Sequence, residues 1–383
     1  MEPAELFHLC IFRWIRKLAQ LVGVDLFVSN YEPNVVTYCN MSVLWLFLAS
    51  CLWTIYSHEF DEKVICCSAL AFNCQGIVKY FCFIKNNRSV KDMLYFCSKI
   101  YRANTAPGPN KQLLAKSVKI IVFIFKNGMV LLLTTAILAL LRPGFSYIVF
   151  GKLDPILPTY LPGVDEEETY GYVMLATLHT YIAFIFVTGT AGCDLLLMTQ
   201  VIHLYTMTHI FRNAVDEFNA LIERNTGRTS RKKTRQFLRN LILMHIDYAR
   251  FTKILKEVYS GICLIQITMS NTIMIVLLYV ILMVKWFPAY FLMAVAFFQV
   301  FEFSVMGTVL QIANDNMFEN ICNISIVDLP IDEQKKVILM TALAQHPHNL
   351  TIGGFQSLNV ETFVDSMKNT YSVGMLLVNT QVK

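Results

Sequence analysis

Seven long apolar stretches, each separated from the next by a more polar segment, dominate the pattern of this chain. They are residues 35–56, 64–84, 117–141, 172–202, 261–284, 288–313 and 355–378. A helix needs about 20 apolar residues to cross the hydrocarbon core of a bilayer, so each stretch predicts a transmembrane helix. The predicted fold class is therefore an all-α membrane protein with seven spans. Asp365 and Lys368 interrupt the last stretch, which we expect to face protein or water rather than lipid.

The Lys and Arg residues are distributed unevenly among the connections between these stretches. Of the 32 residues, 24 lie in the N-terminal segment and the connections between spans 2 and 3, 4 and 5, and 6 and 7, whereas five lie on the opposite face. Connections rich in Lys and Arg remain in the cytosol. We therefore predict an inverted topology, with a cytosolic N-terminus and an extracellular C-terminus, the reverse of a G-protein-coupled receptor.

The topology divides the chain into cytosolic and membrane parts. The predicted parts are a cytosolic N-terminal segment 1–34, spans one to four at 35–202 with an outer loop 142–171, cytosolic helical extensions of spans four and five at 203–260, spans five and six at 261–313, a cytosolic part at 314–354 and the last span at 355–383. In the extensions, apolar residues recur at spacings of three and four, which predicts a helical bundle outside the membrane. This seam consists of Leu241, Met244, Tyr248, Phe251, Leu255 and Val258. It packs either within its own chain or, as the pore-like last span favours, against other subunits.

Composition supports the membrane assignment and excludes several functions. Hydrophobic residues make up 55% of the chain and charged residues 15%, and a net charge of +5 is too small to indicate nucleic-acid binding. Catalytic and nucleotide-binding motifs are absent from the sequence, so we predict no enzyme activity, cofactor or metal site. Asp194 and Glu302 are acids within spans, where structural pairing and ion binding both remain open.

One face of the last span has the character of a gate. Tyr371, Met375, Val378 and Val382 share this face at helical spacing, and Gln381 lies near the outer end. Apolar side chains can block ions by dewetting, and a neighbouring amide can hydrate a passing cation. A stripe of this kind predicts either a pore gate or a buried packing surface.

Residues near the C-terminus and in the outer loop resemble those of insect odorant receptors. The similar features are Phe363, the Thr-Tyr-Ser at 370–372, the Met-Leu-Leu at 375–377, the Leu-Pro-Gly at 161–163 and the Tyr-Gly-Tyr at 170–172. The related gustatory receptors have Gln and Phe where this chain has Leu377 and Val378, and the family's co-receptor has a much longer connection between spans four and five. The chain therefore resembles a ligand-tuning odorant receptor subunit.

This resemblance implies a non-selective cation channel that a volatile opens directly, in a tetramer with the olfactory co-receptor. It further implies a plasma-membrane location in the sensory dendrite of olfactory neurons. The last span (7b) would line the pore, preceded by a cytosolic helix (7a) at 331–345, with Val378 and Val382 at the gate and Gln381 beside them. A metabotropic seven-helix chemoreceptor and a gustatory-type channel of the same superfamily are the alternatives.

A volatile that enters from outside should bind in the extracellular halves of the spans, in an apolar pocket with few polar groups. The residues that meet this condition are Ala69, Phe72, Asn73 and Gly76 in span 2, Ala136, Ile137 and Leu140 in span 3, Met174, Leu178 and Tyr181 in span 4, and Tyr290 and Met293 in span 6. Phe72, Tyr181 and Tyr290 could stack on an aromatic odorant, and Asn73 could fix one polar atom.

Overall fold

A computed structural model describes residues 3–24, 31–104, 106–150, 155–165, 168–224 and 228–381, and the fold is almost entirely helical. Its α-helices are α1 (Pro3–Leu6), α2 (Arg13–Val22), α3 (Val35–Ser57), α4 (Phe60–Lys85), α5 (Asn87–Ala103), α6 (Pro109–Phe150), α7 (Thr169–Arg224), α8 (Arg228–Tyr279), α9 (Ala289–Cys322), α10 (Ile331–Ala344) and α11 (Val360–Gln381). Two π-helical segments, Phe7–Phe12 and Val280–Val284, precede α2 and follow α8. The all-α fold class predicted from the sequence is confirmed.

Six helices in the described part of the chain are long and apolar enough to cross a membrane. These are α3, α4, α6, α7, α8 together with the π-helical segment that follows it, and α9. They correspond in order to the first six predicted spans. The seventh predicted span forms α11, which carries Glu361, Asp365 and Lys368 and does not reach the same apolarity. Instead, α11 packs along α8 and α9.

Helix α6 continues beyond the predicted end of span 3. The sequence places an outer loop from residue 142, whereas α6 extends through Pro143 to Phe150. The following described segment, 155–165, folds back onto the bundle, where Ile156 and Tyr160 are buried. Several hydrogen bonds hold it. Among them, the Arg142 guanidinium donates to the Pro155 carbonyl (2.8 Å), and the Tyr160 amide donates to the Thr54 hydroxyl (2.8 Å). This segment therefore closes one end of the bundle.

The apolar seam of α8 is buried inside the single chain. Leu241, Tyr248 and Leu255 are almost fully buried, and Phe251 packs on Phe96 of α5 with ring centroids 5.4 Å apart. The Tyr248 hydroxyl donates to Oδ1 of Asn314 in α9 (2.8 Å). Because neighbouring helices already cover the seam, its interpretation as a self-assembly surface is wrong.

Glycines allow the chain to approach α9 closely before it enters α11. A two-stranded hairpin pairs Thr351–Ile352 with Gln356–Ser357, and Gly353 and Gly354 both have positive φ in its turn. At Gly307 of α9, an added Cβ would lie 2.0 Å from the Leu358 carbonyl oxygen. Asn359 then caps α11 by accepting from the Thr362 amide (2.9 Å).

Candidate ligand-binding cavities

Three neighbouring cavities lie within the described helices, and we name each by its walls. The loop-side cavity, of about 110 Å³, lies among α4, α6, α7, α9 and residues 156–157. The vestibule, of about 760 Å³, lies beside it between the ends of α6 and α9. The N-terminal cavity, of about 100 Å³, lies among α2, α3, α4 and α7. All three have predominantly apolar walls, which suits small hydrophobic molecules.

The loop-side cavity has a single histidine in a wall that is otherwise aliphatic and aromatic apart from the hydroxyls of Ser68 and Thr135. His179 is fully buried, and its Nε2 lies 2.7 Å from the hydroxyl of Thr159 in the segment that closes the bundle. Its Nδ1 has no hydrogen-bond partner among the described residues. A buried nitrogen without a partner costs free energy, so a ligand that supplies the missing hydrogen bond would be favoured.

The vestibule adjoins the loop-side cavity, and the two share wall residues. Thr135, Ala139 and Leu292 line both spaces. In the vestibule, the Arg142 guanidinium lies 5.5 Å from the centroid of the Trp286 ring, a cation–π contact. Arg142 therefore contacts both the closing segment and the Trp286 side of the vestibule.

The N-terminal cavity is closed by α2, and a group of hydrogen bonds fixes this helix against the bundle. The helix ends at Gly23 with φ of 86°, and the hydroxyl of Thr37 donates to the Gly23 carbonyl (2.7 Å). The Val22 carbonyl accepts from Nδ2 of Asn40 (2.7 Å) and from the Tyr80 hydroxyl (2.9 Å). The apolar face of α2 is thereby fixed as one wall of the cavity.

A pair of aromatic rings separates the two smaller cavities. Phe72 of α4 and Phe186 of α7 line both of them, and their ring centroids are 5.1 Å apart in an edge-to-face arrangement. Such pairs are attractive but depend on ring orientation. Rotation of either ring would change the separation between the cavities.

Six of the twelve pocket residues predicted from the sequence line one or both of the two small cavities. Four line the loop-side cavity, and two more join Phe72 in the N-terminal cavity. The loop-side residues are Ala69, Phe72, Ala136 and Leu140, and the N-terminal residues are Asn73 and Gly76.

The other six predicted residues lie outside these two cavities. Leu178 is buried in a neighbouring apolar cluster, and Met293 is half-buried against the main core. Ile137 (53% exposed), Tyr290 (54%) and Met174 (39%) face outward. Tyr181 is also partly exposed, and its hydroxyl donates to Oδ1 of Asn40 (2.7 Å) rather than lining either of these two cavities.

Sequence reasoning missed His179, Phe186 and the whole contribution of α2. A signal for α2 was present, because Ile15, Leu18, Ala19 and Val22 recur at helical spacing in the N-terminal segment and all four line the N-terminal cavity. His179 had no such signal, because its contact with Thr159 forms only when the segment 155–165 folds back onto the bundle.

The residues of the predicted gate face of α11 differ in their burial within the single chain. Tyr371 is 63% exposed, Met375 is half-buried and Val378 is buried. Nearby, an added Cβ at Gly374 would lie 2.6 Å from Leu278 of α8. The helix includes Gln381, but its side chain and all of Val382 lie outside the described residues.

A buried charge cluster lies deeper in the bundle. Lys79 Nζ of α4 lies 3.8 Å from Oδ1 of Asp194 in α7, and both side chains are more than 90% buried. The same ammonium lies 5.4 Å from the centroid of the Phe303 ring in α9, and the charges of both residues act on Glu302. Of the two possibilities for Asp194, structural pairing is therefore the one observed.

Comparison with known proteins identifies the family. The family model described as "7tm Odorant receptor" matches residues 63–371, which is most of the chain. The chain belongs to the odorant receptor family. This odorant receptor is a membrane protein and not an enzyme.

Two kinds of similarity agree with this assignment. The receptor is 21% identical over 383 residues to putative odorant receptor 83c of Drosophila melanogaster, covering 96% of both chains. Its fold is similar to that of the insect olfactory receptor OR5 from Machilis hrabei, both in the structure solved in complex with eugenol (TM-score 0.76) and in a second structure of that receptor (TM-score 0.73). In both cases 14% of residues are identical, and the match covers 98% of this chain and 100% of the other. The shared fold extends over the whole receptor.

Proposed function

We propose that this receptor is the ligand-tuning subunit of an odorant-gated, non-selective cation channel, and that the loop-side cavity binds the odorant. It assembles with the olfactory co-receptor into a hetero-tetramer in the plasma membrane of olfactory sensory dendrites. The apolar cavity with its unpaired histidine nitrogen carries the proposal, because it offers a volatile both burial and one hydrogen bond. The similar receptor from Machilis hrabei was solved in complex with eugenol, which supports a binding role.

The proposed orientation has the N-terminus in the cytosol and the C-terminus outside. The uneven distribution of Lys and Arg supports it. The segment 155–165 and the vestibule then lie toward the extracellular side. A volatile enters the vestibule past Arg142 and Trp286 and reaches the loop-side cavity beyond Thr135 and Ala139.

The preferred odorant is a small, mostly apolar molecule with one hydrogen-bonding group. The cavity walls provide aliphatic contacts and the faces or edges of Phe72 and Phe186. His179 Nδ1 can accept a hydrogen bond from a hydroxyl, or donate one to a carbonyl in its other tautomer. The shape of the cavity rather than charge selects among such molecules, and one methylene alters affinity by about 1–3 kcal/mol.

Apolar side chains left uncovered by the single chain support assembly around a pore. On α11, Tyr371, Leu376 and Leu377 are exposed, and on α10, Ile338 and Leu339 are exposed. We assign the α10 face to contacts with neighbouring subunits and α11 to the pore lining, with Val378 and Val382 as the gate beside Gln381. A ring of apolar residues from four subunits would block permeating cations by dewetting.

Two adjacent substitutions in α6 test the binding proposal. Ala136 lines the loop-side cavity, whereas its neighbour Ile137 faces outward. Ala136→Phe should fill the cavity and reduce odorant sensitivity at least tenfold, while Ile137→Phe should leave it unchanged. Odorant dose–response currents, recorded from cells that also express the co-receptor, measure the difference. Equal responses of both variants, at equal surface expression, would refute the loop-side cavity as the odorant site.

A further inference from the structure

We infer that the N-terminal cavity is a second ligand site, distinct from the loop-side cavity, and that it binds a small neutral alcohol. The inference rests on the geometry of α2 and α4 and does not depend on channel function. Three observations carry it: the available space, the unpaired polar groups in its wall, and the ring pair that separates it from the first site.

The space is sufficient for a small organic molecule. The N-terminal cavity measures about 100 Å³, close to the 110 Å³ of the loop-side cavity. One buried water needs about 10–15 Å³ on such a scale, so the space exceeds that of a single water several times over. At Gly76, an added Cβ would have no heavy atom within 4 Å, which shows that this wall faces open space.

The polar groups of the wall select for a neutral hydroxyl. Nδ2 of Asn73 donates to the Leu44 carbonyl (3.0 Å), while Oδ1 accepts no hydrogen bond from the described residues, although Asn73 is 95% buried. An unpaired buried acceptor favours a ligand that donates a hydrogen bond. Lys79 also lines the cavity and disfavours an ammonium, whereas Asp194 beside it disfavours a carboxylate. An alcohol satisfies all three conditions.

The two sites are adjacent but separately addressable. Phe72 and Phe186 form the partition between them. From α2, Ile15, Leu18, Ala19 and Val22 line the N-terminal cavity and not the loop-side one. From α9, Val295 lines the loop-side cavity and neither of the other two. A covalent label on these α2 residues or on Val295 therefore reports which of the two sites a probe occupied.

Photolabelling of the purified full-length receptor in lipid nanodiscs tests the inference. The probe is a hexanol that carries an aliphatic diazirine, and mass spectrometry locates the adducts. We expect adducts on residues 15–22 that excess hexanol suppresses. Gly76→Leu should fill the N-terminal cavity and reduce the α2 adducts at least tenfold while leaving those on α9. Ala136→Phe, the matched variant in the other cavity, should give the opposite pattern.

Two further measurements keep the outcome decisive. Asn73→Leu should reduce α2 labelling by the alcohol probe but not by the corresponding hydrocarbon diazirine. Gly76→Val provides a smaller filling if the Leu variant is not recovered as folded protein. Adducts on α2 that persist in the filled variant, or that hexanol does not suppress, would overturn the inference, the latter indicating lipid acyl chains in the cavity. If the α9 adducts are absent while the α2 adducts are present, the result would count against the loop-side cavity as the odorant site and would still support the N-terminal site.

Discussion

At the scale of single residues, the pairing of Lys79 with Asp194 explains how charged groups are accommodated within the spans. Their atoms lie 3.8 Å apart at a site closed to solvent, and Glu302 is close enough to interact with both. Ionised groups in such surroundings require a partner because their hydration is lost. The pair joins α4 to α7, the two helices that form the walls of both small cavities.

Removal of one member of this pair should destabilise the receptor strongly. Lys79→Met leaves Asp194 buried without its partner, and we expect it to lower the free energy of unfolding by about 3–5 kcal/mol. The double variant Lys79→Met/Asp194→Asn should recover part of that loss. Thermal unfolding of the purified single and double variants measures the coupling. Additive losses would show that the two charges do not stabilise one another.

The sequence could predict which stretches form helices but not the rotation of each helix about its axis. Ala136 and Ile137 are neighbours in one apolar run, yet the first faces a cavity and the second faces outward. Lipid is as apolar as a protein core, so a membrane helix lacks the contrast between polar and apolar faces that marks a soluble one. For this reason, half of the predicted pocket residues lie outside the two small cavities.

At the scale of elements, the contact between α9 and the start of α11 positions the proposed pore helix. Gly307 leaves room for the Leu358 carbonyl, and the Val360 amide donates to the hydroxyl of Thr308 (2.9 Å). A residue larger than glycine cannot fit without separating the two segments. Motion of α9, which also lines the loop-side cavity through Leu292, would therefore be transmitted to α11.

Gly307→Ala should lower the free energy of unfolding by about 1–3 kcal/mol, because the added methyl group overpacks the contact. Gly261→Ala in α8 is the control, since no heavy atom lies within 4 Å of its added Cβ. Higher helix propensity should make that control neutral or more stable by up to about 1 kcal/mol. Thermal unfolding compares the two, and equal stability would mean that the Gly307 contact is not tight.

Elements that depend on tertiary contacts were less predictable than the spans. The hairpin at 351–357 and the continuation of α6 to Phe150 have no long apolar signature of their own. The closing segment is held in part by Thr54, which lies more than 100 residues before it in sequence. Helix α2 is amphipathic, but only the bundle reveals that its apolar face completes a cavity.

At the scale of the whole molecule, the sequence predicted an all-helical membrane protein and its family correctly. Long apolar runs determine the order of the first six candidate spans, so this level of the fold follows from composition and spacing. The assembly of subunits cannot be predicted from composition and spacing in the same way. A surface that is apolar in one chain does not reveal whether lipid or another subunit covers it.

Orientation in the membrane is the prediction that belongs to this scale. The excess of Lys and Arg on one face should hold the N-terminus in the cytosol and expose the C-terminus. An epitope tag after Lys383 should therefore bind antibody on intact cells, whereas a tag before Met1 should require permeabilisation. Staining of the C-terminal tag only after permeabilisation would reverse the topology and with it the proposed route of odorant entry.

Direct opening of a pore is the central claim, and current in excised membrane patches tests it most directly. Patches come from cells that express this receptor with the olfactory co-receptor, and both faces are bathed without nucleotides. We predict that an odorant evokes a current carried by Na⁺ and K⁺ alike, and that patches with the co-receptor alone do not respond to that odorant. A response that disappears on excision and returns only with GTP would contradict the claim and indicate a metabotropic receptor.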